Sequence, residues 1–303
     1  MRVTVTGATG LIGSELVAAL TARGDEVTVL TRDPGRARER LGAAVEAVAW
    51  DPLAGPAPAA AIAGRDGVVH LAGEPVAQRW SDDAKRRIRD SRERGTAHLV
   101  EGLAAAEPRP AVLVSASGVG YYGPRGDEQV DEATAPGSDF LAGVCVAWER
   151  AATAAERHGV RVALVRTGVV LDARGGALAK MLPPFKLGVG GPVAGGRQWM
   201  PWIALDDLVG LYLAALDGGA AWSGPLNGSA PEPVTNADFS RALGRALRRP
   251  AVAPVPRLAL KLLYGEMEQI VTTGQRAVPR RPLELGHAFR HPGLDEALRV
   301  ALG

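Results

Sequence analysis

The chain has 303 residues, 47% of them hydrophobic, which suits one large domain or two closely coupled ones with a sizeable core. A net charge of +2 gives no case for a nucleic-acid or membrane-surface partner, and a single cysteine, Cys145, excludes an intrachain disulfide framework. No apolar run approaches the roughly 18 residues of a membrane span, and no leader precedes the first strand, so the expectation is a soluble cytoplasmic protein.

The opening stretch MRVTVTGATGLIG reads as a buried strand, a glycine turn and the start of a helix. Gly7, Gly10 and Gly13 follow the spacing G-x-x-G-x-x-G. Such glycines permit a tight turn, a close approach of backbone to a pyrophosphate, and close packing of helix on strand. The helix read from Ser14 to Ala22 then offers, at its N-terminus, unpaired N–H groups and a partial positive charge to phosphates, with Leu11 and Ile12 of the turn as candidate cofactor contacts. Between a strand and a helix, this pattern points to dinucleotide binding.

Gly24 closes the first helix, and Glu26 to Thr31 form a second strand. The ribose-reading residue is expected at its end, about 20 residues past the turn. Arg32 stands there. A carboxylate would bond the ribose hydroxyls of NAD, whereas an arginine suits the 2′-phosphate of NADP. Asp33 offers the acidic alternative, but with Pro34 after it, it reads better as a helix N-cap. Val45 to Trp50 make a third strand ending at Asp51, and Val68 to Ala72 a fourth. His70, inside that strand, reads as structural. Leu71, Ala72, Gly73, Glu74 and Arg79 leave its C-terminal end, the edge at which open α/β sheets bind ligands. Asp51, Glu74 and Arg79 are candidate cofactor contacts on that ground.

Ser81 caps a long helix to Ala105, whose basic run is interleaved with acids and reads as a solvated face. Ala111 to Ser115 form a fifth strand running into Ser115-Ala-Ser117-Gly-Val-Gly-Tyr121-Tyr122-Gly123. Ser115 is a candidate cofactor contact; Ser117, Tyr121 and Tyr122 are candidate catalytic groups, because this loop should face the nicotinamide end of the cleft. Phe140 to His158 read as a helix and Val160 to Thr167 as a sixth strand, with Val169 to Leu171 continuing apolar. Gly175 to Gly196 read as a loop-rich segment closing over a site. Asp206 and Asp207 open a further helix, Gly224 to Asn227 form a last strand, and Asn236 caps a helix through Leu247. The expected fold is therefore a Rossmann-type, doubly wound parallel α/β sheet with a smaller, mostly helical C-terminal cap. Residues 1–172 would form the NADP-binding domain, completed by 203–230, with 173–202 and 231–303 building the substrate cap.

The glycine turn, VVHLAG, SASGVGYYG and RTGVVL resemble the extended short-chain dehydrogenase/reductases. HLAGEPVAQRW, SRERGTAHLV, GGPVAGGRQWMPWIALDDL, GPLNGSAPEPVTNADF, GEM and GQRAVPRR narrow the resemblance to the atypical, SulA-related epimerase family, from end to end of the chain. The resemblance implies NADP as cofactor and a small-molecule substrate, either a nucleotide sugar or another carbonyl compound. It aligns Ser117 with the superfamily's active-site serine. It also exposes a departure: with Glu149 aligned on the glutamate of the following helix, Leu141 and Cys145 occupy the places of the Tyr-x-x-x-Lys pair that moves a proton in the broader superfamily. Ala204 stands where relatives often carry histidine. Two functions follow: an NADP-dependent oxidoreductase or epimerase with a substitute proton donor from the serine–tyrosine loop, or a non-catalytic NADP(H)-binding module that senses redox state or binds a partner. No cationic neighbour for Ser117, Tyr121 or Tyr122 is evident in the sequence; Lys180 and Lys186 are the conceivable substitutes.

Overall fold

The computed structural model describes residues 1–303. In chain order the elements are β1 (Arg2–Thr6), α1 (Leu11–Ala22), β2 (Glu26–Thr31), α2 (Pro34–Leu41), β3 (Glu46–Ala49), β4 (Gly67–His70), α3 (Asp82–Ala105), β5 (Val112–Gly118), β6 (Gln129–Val130), α4 (Phe140–Thr153), β7 (Arg161–Thr167), β8 (Val169–Leu171), α5 (Gly176–Lys186), β9 (Trp199–Met200), β10 (Trp202–Ala204), α6 (Leu205–Asp217), β11 (Gly224–Gly228), β12 (Val234–Thr235), α7 (Asn236–Leu247), α8 (Arg257–Tyr264), α9 (Glu268–Thr272), β13 (Arg276–Ala277), α10 (Arg280–Glu284) and α11 (Leu294–Leu302). No helix is long and apolar enough to cross a membrane.

Seven strands make one parallel sheet in the order β11-β7-β5-β4-β1-β2-β3. Strand order reverses between β1 and β4, where an open α/β sheet leaves a crevice at its carboxyl edge. The alternation of side chains along each strand builds two cores. Val3, Val5, Val29, Val69, Val114 and Val165 face one layer, packed by Leu16 and Leu20 of α1 and by Leu208, Leu211 and Tyr212 of α6. Val68, Leu113, Val162 and Leu164 face the other, packed by Leu99 and Leu103 of α3 and Ala152 of α4. A third core, around Leu178, Leu182, Phe185, Trp202, Phe239, Leu243 and Leu298, joins α5, α7 and α11 at the sheet's far end.

Local signals account for the helix ends. Asp33 accepts the Arg36 N–H at 3.0 Å and Ser81 accepts the Ala84 N–H at 3.2 Å, as their positions predict. Three expectations need correction. Gly175 to Gly196 is not simply a loop: α5 runs through Pro183 and Pro184, because Leu178, Leu182 and Phe185 recur at helical spacing and bury against the third core. α7 is capped by Thr235, whose hydroxyl accepts the Asp238 N–H at 3.2 Å; Asn236 instead accepts the Val193 N–H at 2.8 Å. β5 extends past Ser115 to Gly118, so Ser117 is a strand residue paired with Arg166 of β7 rather than part of a free loop.

Candidate functional site

The carboxyl ends of β1, β2, β4 and β5 converge on the glycine turn. Gly7 sits at φ +67°, and a Cβ there would lie 2.6 Å from the Leu71 carbonyl carbon, so the turn packs directly on the β4 exit. A Cβ on Gly13 would fall 2.3 Å from the Gly7 carbonyl oxygen, so only glycine lets α1 approach β1 this closely. Gly10 differs. A Cβ there would meet nothing but the Gly7 carbonyl oxygen, at 3.3 Å, and would otherwise project into open space. Gly10 is also the N-cap of α1 and supplies no side-chain acceptor, so the first-turn N–H groups, Leu11 and Ile12 among them, face the crevice uncapped. An uncapped helix N-terminus with an open cradle fits a pyrophosphate.

Thr6 ties the turn to the neighbouring strand. Its hydroxyl accepts the N–H groups of Leu71 and Ala72, each at 3.2 Å, and so gives its own proton to His70 Nδ1 at 2.7 Å. The His70 proton therefore sits on Nε2, which donates to Thr96 at 2.9 Å. Complete burial, reinforced by the charge of Arg92, pushes the His70 pKa down to about 4 and keeps the ring neutral. His70 braces β1, β4 and α3 and takes no part in the cleft.

Arg32, at the end of β2, is exposed and makes no ion pair or side-chain hydrogen bond. Thr6 pairs with Leu30, which puts Arg32 two residues beyond that pair, at the carboxyl edge of the sheet on the β2 side of the turn. Asp51 is exposed and accepts the Leu53 N–H at 3.0 Å, closing a local turn. Glu74 is half-buried and accepts from Gln78 at 3.1 Å. Arg79 is not aimed at the crevice: its guanidinium donates to the Leu262 carbonyl at 2.9 Å and fastens the 74–80 loop to α8. Gly73 is exposed, with Leu71 and Ala72 half-buried beside it. Ser115 is fully buried, next to His70 in the sheet.

The serine–tyrosine segment is organised by a buried ion pair that sequence reasoning missed. Arg166 Nε and Nη2 each donate at 2.8 Å to the two oxygens of Glu149, and Ser117 Oγ donates to the same carboxylate at 2.7 Å. Arg166 Nη1 donates at 3.1 Å to the Tyr122 hydroxyl, which in turn donates to Asn227 Oδ1 at 2.7 Å. Tyr122 is wholly buried, and desolvation, against the opposing charge of Arg166, pushes its pKa up to about 12. Arg166 also stacks under the Tyr121 ring, 3.4 Å from its centroid. A cationic neighbour for the two tyrosines is thus present, contrary to the reading of the sequence. It comes from β7, whose place beside β5 no local pattern discloses. The signal available was a charged residue inside an otherwise apolar strand, opposite a glutamate on the apolar face of α4.

Of the three candidate catalytic groups, Ser117 and Tyr122 are buried and committed to this network, while Tyr121 is half-buried with its hydroxyl unpartnered in the protein. Cys145 is buried against Gly118 and Gly120, and burial pushes its thiol up to about 12, so it stays a neutral filler. Lys180 is exposed and donates to the Ala77 carbonyl at 2.8 Å; Lys186 is exposed at the end of α5. Ala204 is buried as the N-cap of α6. On the cap side, Arg276 lies over the Trp199 ring at 4.7 Å with no carboxylate partner, and Trp199 Nε1 donates to Asp127 at 2.9 Å. Ala277, next to Arg276, packs in one cluster with Tyr122, Val119 and Val130, and Tyr121 leans against it.

Comparison with known proteins agrees with this architecture. Residues 3–224 match the NAD dependent epimerase/dehydratase family, and residues 255–301 match a domain of unknown function, DUF1731. The chain is 42% identical to an epimerase family protein SDR39U1 homolog, chloroplastic, of Arabidopsis thaliana, covering 100% of this chain and 87% of that one. It is 38% identical to the human epimerase family protein SDR39U1 over 99% of both chains. The crystal structure of human SDR39U1 (isoform 2) with NADPH superposes with a TM-score of 0.88 at 36% identity, over the whole of both chains. With a family match over most of its length and relatives alike from end to end, this chain belongs to the NAD dependent epimerase/dehydratase family, on the SDR39U1 epimerase branch.

Proposed function

We propose that the protein binds NADP(H) in the crevice above β1 and β4 and acts on a small anionic carbonyl or sugar compound, a nucleotide sugar being the leading class. The observation that carries the cofactor is the pairing of an uncapped α1 N-terminus over the open Gly10 cradle with the unpaired Arg32. The first-turn N–H groups suit a pyrophosphate, and a free guanidinium suits a 2′-phosphate. The SDR39U1 structure with NADPH supports the same assignment.

A nicotinamide cofactor supplies redox chemistry when bound. The chain's own part is to hold a substrate oxygen and move its proton. Tyr121 is the group best placed for this, since Arg166 fixes its ring from below and its hydroxyl is free. Arg276 over Trp199 suits a phosphate or carboxylate of the substrate, because it lacks a carboxylate of its own. Without a lysine-activated tyrosine, acid–base help worth about 10²–10⁴-fold rests on Tyr121 over Arg166 alone, and the expected turnover of ordinary nucleotide sugars is weak. A non-catalytic NADP(H)-sensing role has specific support from Leu141 and Cys145, neither of which moves a proton.

The test is a paired titration of NADPH and NADH. Wild type should prefer NADPH. Arg32→Ala should lose about 1.5–3 kcal/mol of NADPH binding, the range for hydrogen bonds to a charged group, and leave NADH unchanged. Equal losses for both cofactors would show that Arg32 does not read the phosphate.

A further inference from the structure

The superfamily lysine would stand on α4 at position 145, and α4 offers only a buried thiol there. A cation nevertheless occupies that neighbourhood, delivered by a different helix. Arg92 of α3 lays its guanidinium over the Trp148 ring, 4.9 Å from the centroid, and Trp148 is one turn beyond Cys145 on the same face of α4. Its other side borders the β4 exit. A Cβ built on Gly73 would lie 3.3 Å from the guanidinium carbon and 3.4 Å from each terminal nitrogen. Nη1 donates to the Glu74 carbonyl at 2.9 Å and the Ile88 carbonyl at 3.2 Å. Nε and Nη2 have no partner in the protein, and no carboxylate is within ion-pair distance of the group. The aromatic face and two carbonyls fix the guanidinium while leaving a fork of donors and a full charge unspent.

The position relative to the sheet decides what those donors meet. β1 and β4 flank the crevice; Arg32 stands on the β2 side of it and Arg92 on the β5 side, against Gly73 and Trp148 with Cys145 nearby. A dinucleotide lying across the switch point with its 2′-phosphate at Arg32 puts its other half against β5. We propose that Arg92 binds the nicotinamide half of NADP(H), through oxygens of its ribose and phosphate, and so supplies from α3 the positive charge that position 145 lacks. This rests on the NADP(H) reading above. It adds a second arginine with a separate job: Arg32 reads the adenosine end and Arg92 anchors the reactive end.

The two jobs separate with a fragment. 2′,5′-ADP carries the adenosine half and the 2′-phosphate but no nicotinamide ribose. Binding of NADPH and of 2′,5′-ADP is measured by calorimetry for wild type, Arg92→Gln, Arg92→Lys and Arg32→Ala, with thermal unfolding recorded for each. Arg92→Gln should weaken NADPH about tenfold or more and leave 2′,5′-ADP within about twofold. Arg92→Lys, which keeps the charge but loses the planar fork, should weaken NADPH by less, again without touching the fragment. If the glutamine variant fails to fold, the lysine variant carries the same comparison. Arg32→Ala should weaken both ligands. Unchanged NADPH binding in the Arg92 variants, or equal losses for NADPH and the fragment, overturns the assignment. Failure of wild type to bind either ligand would instead overturn the NADP(H) reading itself.

Discussion

The Ser117 hydroxyl donates at 2.7 Å to Glu149, whose two oxygens are already clamped by Arg166 at 2.8 Å each. The serine that the sequence marks for chemistry is thus fastened to a buried ion pair joining β5, α4 and β7. In that setting it orients the segment carrying Tyr121. Removing one member of a buried pair leaves an uncompensated charge, which costs about 3–5 kcal/mol. Glu149→Gln should lower the free energy of unfolding by that order in urea titrations, with the near-isosteric side chain excluding a packing explanation. A change below about 1 kcal/mol would mean that water reaches Arg166 in the folded state.

Gly10 and Gly13 separate binding from folding. Gly13→Ala would drive a Cβ to 2.3 Å from the Gly7 carbonyl oxygen, so α1 must shift; both thermal stability and NADPH affinity should fall. Gly10→Ala meets only one atom, at 3.3 Å, and projects into the open cradle. Its unfolding midpoint should stay near wild type while NADPH binding is lost. A Gly10→Ala protein that binds NADPH normally would place the pyrophosphate elsewhere.

The two adjacent tyrosines should behave differently. Tyr122→Phe removes the hydroxyl that bridges Arg166 and Asn227, leaving buried polar groups unpartnered at about 1–3 kcal/mol. Tyr121→Phe keeps the ring over Arg166 and deletes only a free hydroxyl, so stability should hold while residual turnover with candidate carbonyl substrates disappears. Turnover that persists in Tyr121→Phe would move the proton donor to another group.

His70 gives stability a defined pH dependence. Its folded pKa of about 4 lies below the ordinary 6.5, so the unfolded chain binds a proton that the folded chain refuses. The contribution of neutral His70 is complete above pH 6.5 and is lost progressively as pH falls toward 4, by up to about 3 kcal/mol, below which the slope from this group vanishes. Unfolding free energies measured at pH 7, 5.5 and 4.5 should fall in that order. A His70→Gln protein should show a shallower fall between pH 6.5 and 4.

Much of the fold was legible because local signals agree with one another. The MRVTVTGATGLIG stretch, the caps Asp33 and Ser81, and the apolar strands each specify their own structure through sterics, hydrogen bonding and period. The Gly175 to Gly196 segment misleads, since its many glycines and prolines outweigh a short apolar stripe until a neighbouring core rewards that stripe's burial.

The residues alone specify the strand–turn–helix that opens the chain, the arginine at the end of β2, and leucine and cysteine at positions 141 and 145. These are properties of residues a few positions apart, where backbone geometry links spacing to shape. Tertiary packing alone brings Ser117 and Tyr122 into a buried hydrogen-bond network, lays Tyr121 on Arg166, and sets Arg92 over Trp148. Strand order explains this: β7 lies beside β5, and α3 packs on α4, so Arg166 and Glu149 from distant segments meet in the interior, where desolvation favours their pairing.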